Sequence, residues 1–165
     1  MELKFGPKGT LLINDARIVF KNFAGREDKY NREGDRNFSL VIPTEEMANM
    51  LMNDVNAEGA PWNVKIKPPR DEDDTPFMRL PVKIKYNNGR GPKVYLNTGR
   101  RTIELKEDEL HRLDRIDIAS VDMDIRPYDN VVNGKPYRTA YLQAIWVVQE
   151  VDRFTDRLAE EEYPE

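Results

Sequence analysis

The sequence contains no cysteine, a single histidine and no long apolar run, and each gap excludes a class of protein. Without cysteine there is neither a disulfide framework nor a thiolate zinc site, and His111 alone cannot form a histidine metal cluster. No stretch approaches the roughly 18 apolar residues of a membrane helix, and the N-terminus lacks the apolar segment of a signal peptide. We therefore expect a cytoplasmic protein without cofactors or membrane contact.

Signatures of common enzymes are missing as well. The chain has no Walker-type phosphate loop, no "GxSxG" and no dinucleotide-binding fingerprint. These absences favour a binding protein that is not an enzyme.

The formal charge of -4 is unevenly distributed along the 165 residues. Residues 152–165 hold six acids against two arginines, which leaves residues 1–151 balanced. Residues 75–101 hold seven Lys and Arg and no acid. We expect one domain over residues 1–151. The acidic tail, residues 152–165, is either a frayed terminus or an interaction segment that competes for the protein's own cationic groove or recruits partner proteins.

The first half of the chain predicts two strands and a helix. β-Branched residues favour a long first strand over residues 10–20, with a bulge at its central "ND" pair. In "RNFSLVI" the side chains of Phe38, Leu40 and Ile42 fall on one face at period two. Thr44 then supplies an N-terminal cap for a helix that continues to about Val55.

The second half predicts further strands in which polar and apolar residues alternate. They cover residues 62–67 and 77–86, and Pro81 within the latter indicates an edge position or a bulge. The "NG" at residues 133 and 134 predicts a hairpin between the last two strands. Five or more strands with one helix after the second indicate a mainly β fold with long loops, a barrel or half-open sheet of the oligonucleotide-binding (OB) type.

Cations are predicted to share one face of two consecutive strands, with Lys65 and Lys67 on the first and Arg79, Lys83 and Lys85 on the second. Their mutual repulsion is relieved by an anionic polymer, so the face favours nucleic-acid binding. The polar loop before Phe38 and the basic loops after residue 86 extend this surface. The predicted nucleic-acid-binding residues are Arg26, Lys29, Tyr30, Arg32, Arg36, Lys65, Lys67, Phe77, Arg79, Lys83, Lys85, Arg90, Lys93, Tyr95, Arg100 and Arg101.

Aromatic residues indicate which polyanion is bound, because single-strand binders stack bases on exposed rings. The rings that lie in or beside basic stretches are Tyr30, Phe77, Tyr95, Tyr128 and Tyr137. By contrast, Phe38, Trp62 and Trp146 lie in apolar patterns, and we assign these three to the core.

Acidic residues leave two other interpretations open. Asp122 and Asp124 share one face of a predicted strand and, with Asp114 and Asp117, offer oxygen ligands for the divalent cation of a nuclease. Alternatively, Asp122 and Asp124 neutralise the basic strands from a neighbouring strand. The protein would then be a structural or interaction protein without a nucleic-acid role.

Three segments carry a resemblance to a known family: "KFGPKGTLLINDARIVFKNFAGREDKYNREGDRNFSLVIP", "WNVKIKPP" and "SVDMDIRPYDNVVNGKPYRTAYLQAIWVV". Together they resemble phage and prophage single-stranded DNA-binding proteins with an OB fold. The resemblance implies binding of single-stranded DNA without sequence preference, and protection of single strands during phage DNA replication or recombination in the host cytoplasm. Replication or recombination proteins are candidate partners of the acidic tail, and the sequence leaves open whether the protein is a homo-oligomer.

Overall fold

The computed structural model describes residues 1–151, and over this range the chain is mainly β. One α-helix, α1, spans Glu45–Asn53, and 3-10 helices span Pro7–Gly9 and Glu107–Asp114. None of the helices in this range is long and apolar enough to cross a membrane. The predicted acidic tail lies outside the described residues. The ten strands of the described range are β1 Glu2–Phe5, β2 Leu11–Ala16, β3 Ile18–Asn22, β4 Arg36–Val41, β5 Lys65–Lys67, β6 Phe77–Ile84, β7 Lys93–Asn97, β8 Thr102–Glu104, β9 Ile118–Val132 and β10 Lys135–Gln149.

All ten strands belong to one sheet, with the order β1-β2-β9-β10-β6-β4-β3. Strand β5 is added to β6, and β7 joins β10 to β8. Strand β10 runs antiparallel to β9 and parallel to β6 and β7. Strands β2 and β3 are separated only by Arg17, yet they lie near opposite ends of the strand order. One bent stretch of chain therefore joins the two ends of the sheet, and the sheet curls round one core. The predicted mainly β fold class is confirmed.

The first long strand predicted over residues 10–20 is divided in the structure. The register between β2 and β9 shifts between Ile13 and Ala16, and Asp15 has a φ of 53°. Aspartate tolerates this left-handed conformation better than most residues. The predicted bulge is therefore present, while a separate strand β3 begins after Arg17 and pairs with β4.

Helix α1 follows β4, the strand that the sequence predicts as its second. Thr44 caps the helix as predicted, since its Oγ1 accepts a hydrogen bond of 3.2 Å from the backbone N–H of Met47. Leu51 is buried, whereas Val55 lies beyond the end of the helix and is exposed. The predicted helix was two residues too long.

Pro81 lies in β6 but neither in an edge strand nor at a register shift, which corrects the sequence-based expectation. Opposite Pro81 on one side is Ser39 of β4. On the other side, β6 pairs with β5 only as far as Arg79 and with β10 from Val82 onwards. Within the described residues Pro81 therefore occupies the point where β6 changes neighbours, and a missing N–H is tolerated there.

The last two strands form the long hairpin that the "NG" pair predicts. Asn133 and Gly134 have φ values of 53° and 79°, as a tight turn with two left-handed residues requires. Phe38 and Trp62 are buried as predicted, but Trp146 is 39% exposed, so its assignment to the core was wrong. Its neighbours Ile145 and Val147 take the core-facing positions.

Candidate nucleic-acid interface

Strands β5 and β6 bring the predicted basic residues onto one face. Lys65 lies opposite Arg79, and Lys67 lies opposite Phe77. Directly opposite residues of an antiparallel pair project to the same side of the sheet. The side chains of Met78 and Leu80 alternate with them and are buried. The cationic face is therefore the outer face of the sheet, as the alternation of the sequence predicted.

Arg79 is held on this face by its neighbours. Its Nη1 donates a 2.8 Å hydrogen bond to Oγ of Ser39, which is itself buried. Its guanidinium carbon lies 5.4 Å from the ring centroid of Phe20, and that ring meets Phe77 edge to face at 6.2 Å. Phe20 is 64% exposed. The sequence analysis placed it in the predicted first strand without assigning it to a face, and so did not identify it as a site residue.

A loop at residues 23–35, here called the rim loop, borders the face. Asn31 fixes it, because its side-chain amide donates hydrogen bonds of 2.9–3.0 Å to the backbone carbonyls of Arg26, Arg32 and Asp35. Asn37 of β4 donates in turn to Oδ1 of Asn31 at 2.8 Å. Within the described part of the chain, no ion pair joins the charged residues of the rim loop. Amide hydrogen bonds therefore hold this loop, and its charges remain exposed.

The rim loop and strands β3, β4 and β6 enclose an open groove of about 830 Å³. A shallower depression beside β5 continues it, since Phe20 and Arg79 line both. We call the two together the basic groove. Eight cationic and three acidic side chains line it: Lys21, Arg26, Arg36, Lys65, Lys67, Arg79, Lys83 and Lys85, with Glu27, Asp28 and Asp35.

Most cations of the basic groove are available to a ligand. Among the described residues no ion pair engages Arg26, Lys65, Lys67, Lys83 or Lys85. All five are exposed. A concave surface with an excess of unpaired cations attracts a polyanion and loses that attraction as salt is added.

Two other cations of the groove are used by the protein itself. Lys21 donates to the backbone carbonyls of Leu113 and Ile116 at 3.0 and 2.8 Å, and burial lowers the pKa of its ammonium group. Arg36 forms a 3.1 Å ion pair with Glu107 and lies over the ring of Tyr86. Their charges are partly offset, so both contribute less to ligand attraction than the exposed lysines.

Tyr30 lies at the rim of the groove with 90% of its surface exposed. The ammonium group of Lys29 lies 5.6 Å from its ring centroid. Lys29 and Arg32 are exposed in the same loop but do not line the groove. An exposed ring beside a cationic groove is the arrangement on which bases stack in single-strand binders.

The residues predicted from the later loops lie apart from the basic groove. Lys93 pairs with Glu104 at 3.7 Å, and Lys106 pairs with the same carboxylate at 3.2 Å. The hydrogen bond from Lys106 lowers the pKa of Glu104. Tyr95 packs against Trp146 with ring centroids 5.7 Å apart. Arg90, Arg100 and Arg101 are exposed in two turns and do not line the groove either.

A second aromatic group, missed by the sequence analysis except for Tyr128, adjoins the groove. Lys83 of β6 lies opposite Tyr141 of β10, which lies opposite Arg126 of β9. The Arg126 guanidinium carbon is 4.9 Å from the Tyr141 ring centroid, and the rings of Tyr141 and Tyr128 stack at 5.0 Å. The outer face thus continues from the basic groove to a cation-flanked pair of rings.

Two of the aspartates on which the nuclease and charge-neutralisation interpretations depend accept hydrogen bonds from the backbone. Asp122 accepts a 2.8 Å hydrogen bond from the backbone N–H of Asp15, and Asp114 accepts one of 2.9 Å from each of Phe23 and Ala24. In residues 1–151, no group of three or more His, Asp or Glu side chains is arranged to hold a metal ion. Strand β10 separates β9 from β6, and no ion pair among the described residues involves Asp122 or Asp124, so these two aspartates do not neutralise the basic face.

Comparisons with known proteins agree with this geometry. A family model described as "Putative phage ssDNA-binding domain" matches residues 2–164. No curated protein sequence matches the chain. Among solved structures, the single-stranded DNA-binding protein from bacteriophage Enc34 in complex with ssDNA is similar, with a TM-score of 0.55 and 13% identity over 92% of this chain and 93% of that chain. Its C-terminal truncation gives a TM-score of 0.53 and 14% identity over 91% of both chains. At such identities these structures show a shared fold.

Proposed function

The chain belongs to the phage ssDNA-binding domain family, and from that premise we propose that the basic groove holds the backbone of single-stranded DNA. The observation that carries the proposal is the set of exposed, unpaired cations along a concave sheet face bordered by exposed rings. Backbone phosphates are present in every sequence, so a groove of this kind binds without sequence preference.

The position of the groove in the fold supports the same proposal. If the bent β2–β3 stretch is counted as the first OB strand, and the short strands β1 and β5 are treated as additions to the OB core, β4 is the second strand and β6 is the third. In OB folds, oligonucleotides bind on the face of the second and third strands and on the loop that joins the first strand to the second. The basic groove and the rim loop occupy these two places.

The bound DNA makes two kinds of contact with the protein. Lys65, Lys67 and Lys83 hold phosphates, while Phe77 and Tyr30 offer ring faces to bases. Beyond Lys83, the Tyr128–Tyr141 pair extends the path over β10. Each stacked base contributes about 1–3 kcal/mol and does so for any base, which suits a protein that coats arbitrary sequences.

The family is one of DNA-binding domains, and the chain is not an enzyme, as the sequence predicted. We propose that it coats and protects single strands during phage replication or recombination in the host cytoplasm. The domain of residues 1–151 carries the DNA interface in this proposal. Residues 152–165 recruit replication or recombination proteins, and self-association on the DNA gives a homo-oligomer.

Fluorescence anisotropy of a labelled oligo-dT strand tests the function. We expect saturable binding at 50 mM salt that weakens steeply as salt is added. The same mixture is incubated with Mg²⁺ or Mn²⁺ and examined for cleavage, with Asp122→Ala as a control. Strand cleavage that this substitution abolishes would support the nuclease alternative instead.

A further inference from the structure

Two aromatic pairs lie on the outer face of β10, in opposite electrostatic surroundings. Tyr141 has Lys83 on one side and Arg126 on the other. Trp146 lies opposite Asp122 of β9 on one side and Tyr95 of β7 on the other. The outer face therefore carries a cation-flanked pair and a second pair whose Trp146 side adjoins Asp122. On its other side Tyr95 lies opposite Glu104, which is already ion-paired with Lys93 and Lys106.

The carboxylates around Trp146 have no cationic partner. Asp15, Asp122 and Asp124 lie next to one another along the β2–β9 pair, where Asp15 donates its backbone N–H to Asp122. Within residues 1–151 no ion pair involves any of the three. Unpaired carboxylates repel phosphate, so this part of the face is unfavourable for a DNA backbone.

Trp146 is unusual for a residue that belongs to the longest apolar run of the chain. It is 39% exposed and contacts Tyr95 with an interplanar angle of 39°. Neither ring lines the basic groove. An exposed tryptophan that packs on a half-buried tyrosine is a typical anchor of protein–protein interfaces.

We propose that Trp146 and Tyr95, with Asp122 and Asp124 beside them, form a docking site for a cationic segment of another protein, separate from the DNA-binding groove. Charge complementarity selects the partner: a Lys or Arg side chain lies over the indole ring while its charged head pairs with Asp122. An apolar side chain of the same segment packs on Tyr95. The partner is thus a peptide segment that combines basic and apolar residues.

Tryptophan fluorescence can report on this site directly. The chain has two tryptophans. Trp62 is buried and donates its indole N–H to Asp54 at 2.8 Å, so a ligand-induced change in emission arises from Trp146. The probe is the hexapeptide Lys-Leu-Arg-Lys-Leu-Lys, and the matched peptide carries Glu at each basic position.

We expect the basic peptide, and not the acidic one, to shift the emission of the full-length protein. The dissociation constant of the basic peptide should rise about tenfold or more in Asp122→Asn and in Trp146→Ala. It is measured by intrinsic fluorescence for Asp122→Asn. For Trp146→Ala, which lacks the reporting tryptophan, it is measured by anisotropy of the labelled peptide. The Asp122→Asn substitution keeps an acceptor oxygen for the backbone N–H of Asp15 and removes only the charge, and thermal melts establish that both variants fold. Both variants retain the acidic tail. If the peptide binds to that tail, both variants will bind it as tightly as the unchanged protein does, and this result would contradict the proposal.

The affinity for oligo-dT separates this proposal from the proposed function. Trp146→Ala should bind oligo-dT as the unchanged protein does. A tenfold loss would place Trp146 in the DNA interface and overturn the docking site. Failure of the unchanged protein to bind oligo-dT would overturn the proposed function and leave the peptide result standing.

Discussion

Tyr128 and Tyr141 stack face to face on the outer surface of the β9–β10 hairpin, with ring centroids 5.0 Å apart and an interplanar angle of 9°. Arg126 covers the ring of Tyr141, and Lys83 follows in the next strand. The stack is pre-formed, so the proposed addition of a base to it costs little conformational entropy. It is the natural continuation of the basic groove.

Replacing Tyr141 by leucine should weaken oligo-dT binding about tenfold, because the exposed Tyr128 ring loses the partner that holds it in place to receive a base. The dependence of affinity on salt should stay the same, since no charge is removed. Tyr95→Leu is the matched control on the same sheet face, and we expect it to leave oligo-dT affinity unchanged. Equal losses in the two variants would mean that the bound strand does not follow the Tyr128–Tyr141 path.

Tyr30→Ala should lower affinity for single strands without lowering thermal stability. Its ring is 90% exposed and contacts the Lys29 ammonium group, so its removal costs the fold almost nothing. Anisotropy and a thermal melt of the same sample measure the two effects. A lowered melting temperature with unchanged affinity would make Tyr30 a structural residue of the rim loop.

Asn31→Ala should lower both stability and affinity, in contrast to Tyr30→Ala. The amide of Asn31 donates to three backbone carbonyls, and losing these bonds costs about 1–3 kcal/mol. The rim loop then no longer holds Arg26 and Tyr30 at the groove. Chemical denaturation and anisotropy give the two values, and unchanged affinity despite a destabilised fold would separate the rim loop from DNA binding.

Asp54→Ala should destabilise the fold by about 3 kcal/mol, because it leaves the buried Arg138 without one of its two carboxylate partners. Arg138 donates to Asp54 Oδ2 and to Asp129 Oδ1, each at 3.1 Å, and Trp62 donates to the same oxygen of Asp54. Urea denaturation measures the loss, with the exposed Asp73→Ala as control. A loss no larger than that of the control would show that Asp129 alone sustains Arg138.

Local patterns in the sequence predicted the elements of the groove. The alternation around Leu40 and Leu80 identified the buried faces, and the opposite parity placed Lys65 and Arg79 together on the outer face before their register was known. The same reasoning failed at Trp146, where Ala144 to Val148 are all apolar and periodicity cannot separate the two faces. Trp146 lies opposite Asp122 and therefore on the outer face, but this can be seen only once the register between β9 and β10 is known.

Residues from distant segments were beyond prediction. Tyr141 and Arg126 lie beside the groove only because β10 is placed between β6 and β9 in the sheet. No local sequence pattern reveals this strand order. Phe20 becomes exposed because the register of β3 shifts between Val19 and Asn22, where Phe20 has a φ of 55°. Conversely, Arg36 fits a basic pattern but is paired by Glu107, a residue 71 positions away.

The central claim is that exposed lysines of the basic groove hold the phosphates of single-stranded DNA. The direct test is the slope of log affinity against log salt for oligo-dT, measured by anisotropy for the unchanged protein and for the triple variant Lys65→Gln, Lys67→Gln and Lys83→Gln. The control replaces three exposed cations outside the groove, Lys4, Lys8 and Arg115, by glutamine. We predict that the groove variant loses about 2 from the magnitude of the slope and that the control loses none. Equal slopes in all three proteins, or no binding by the unchanged protein at 50 mM salt, would contradict the account.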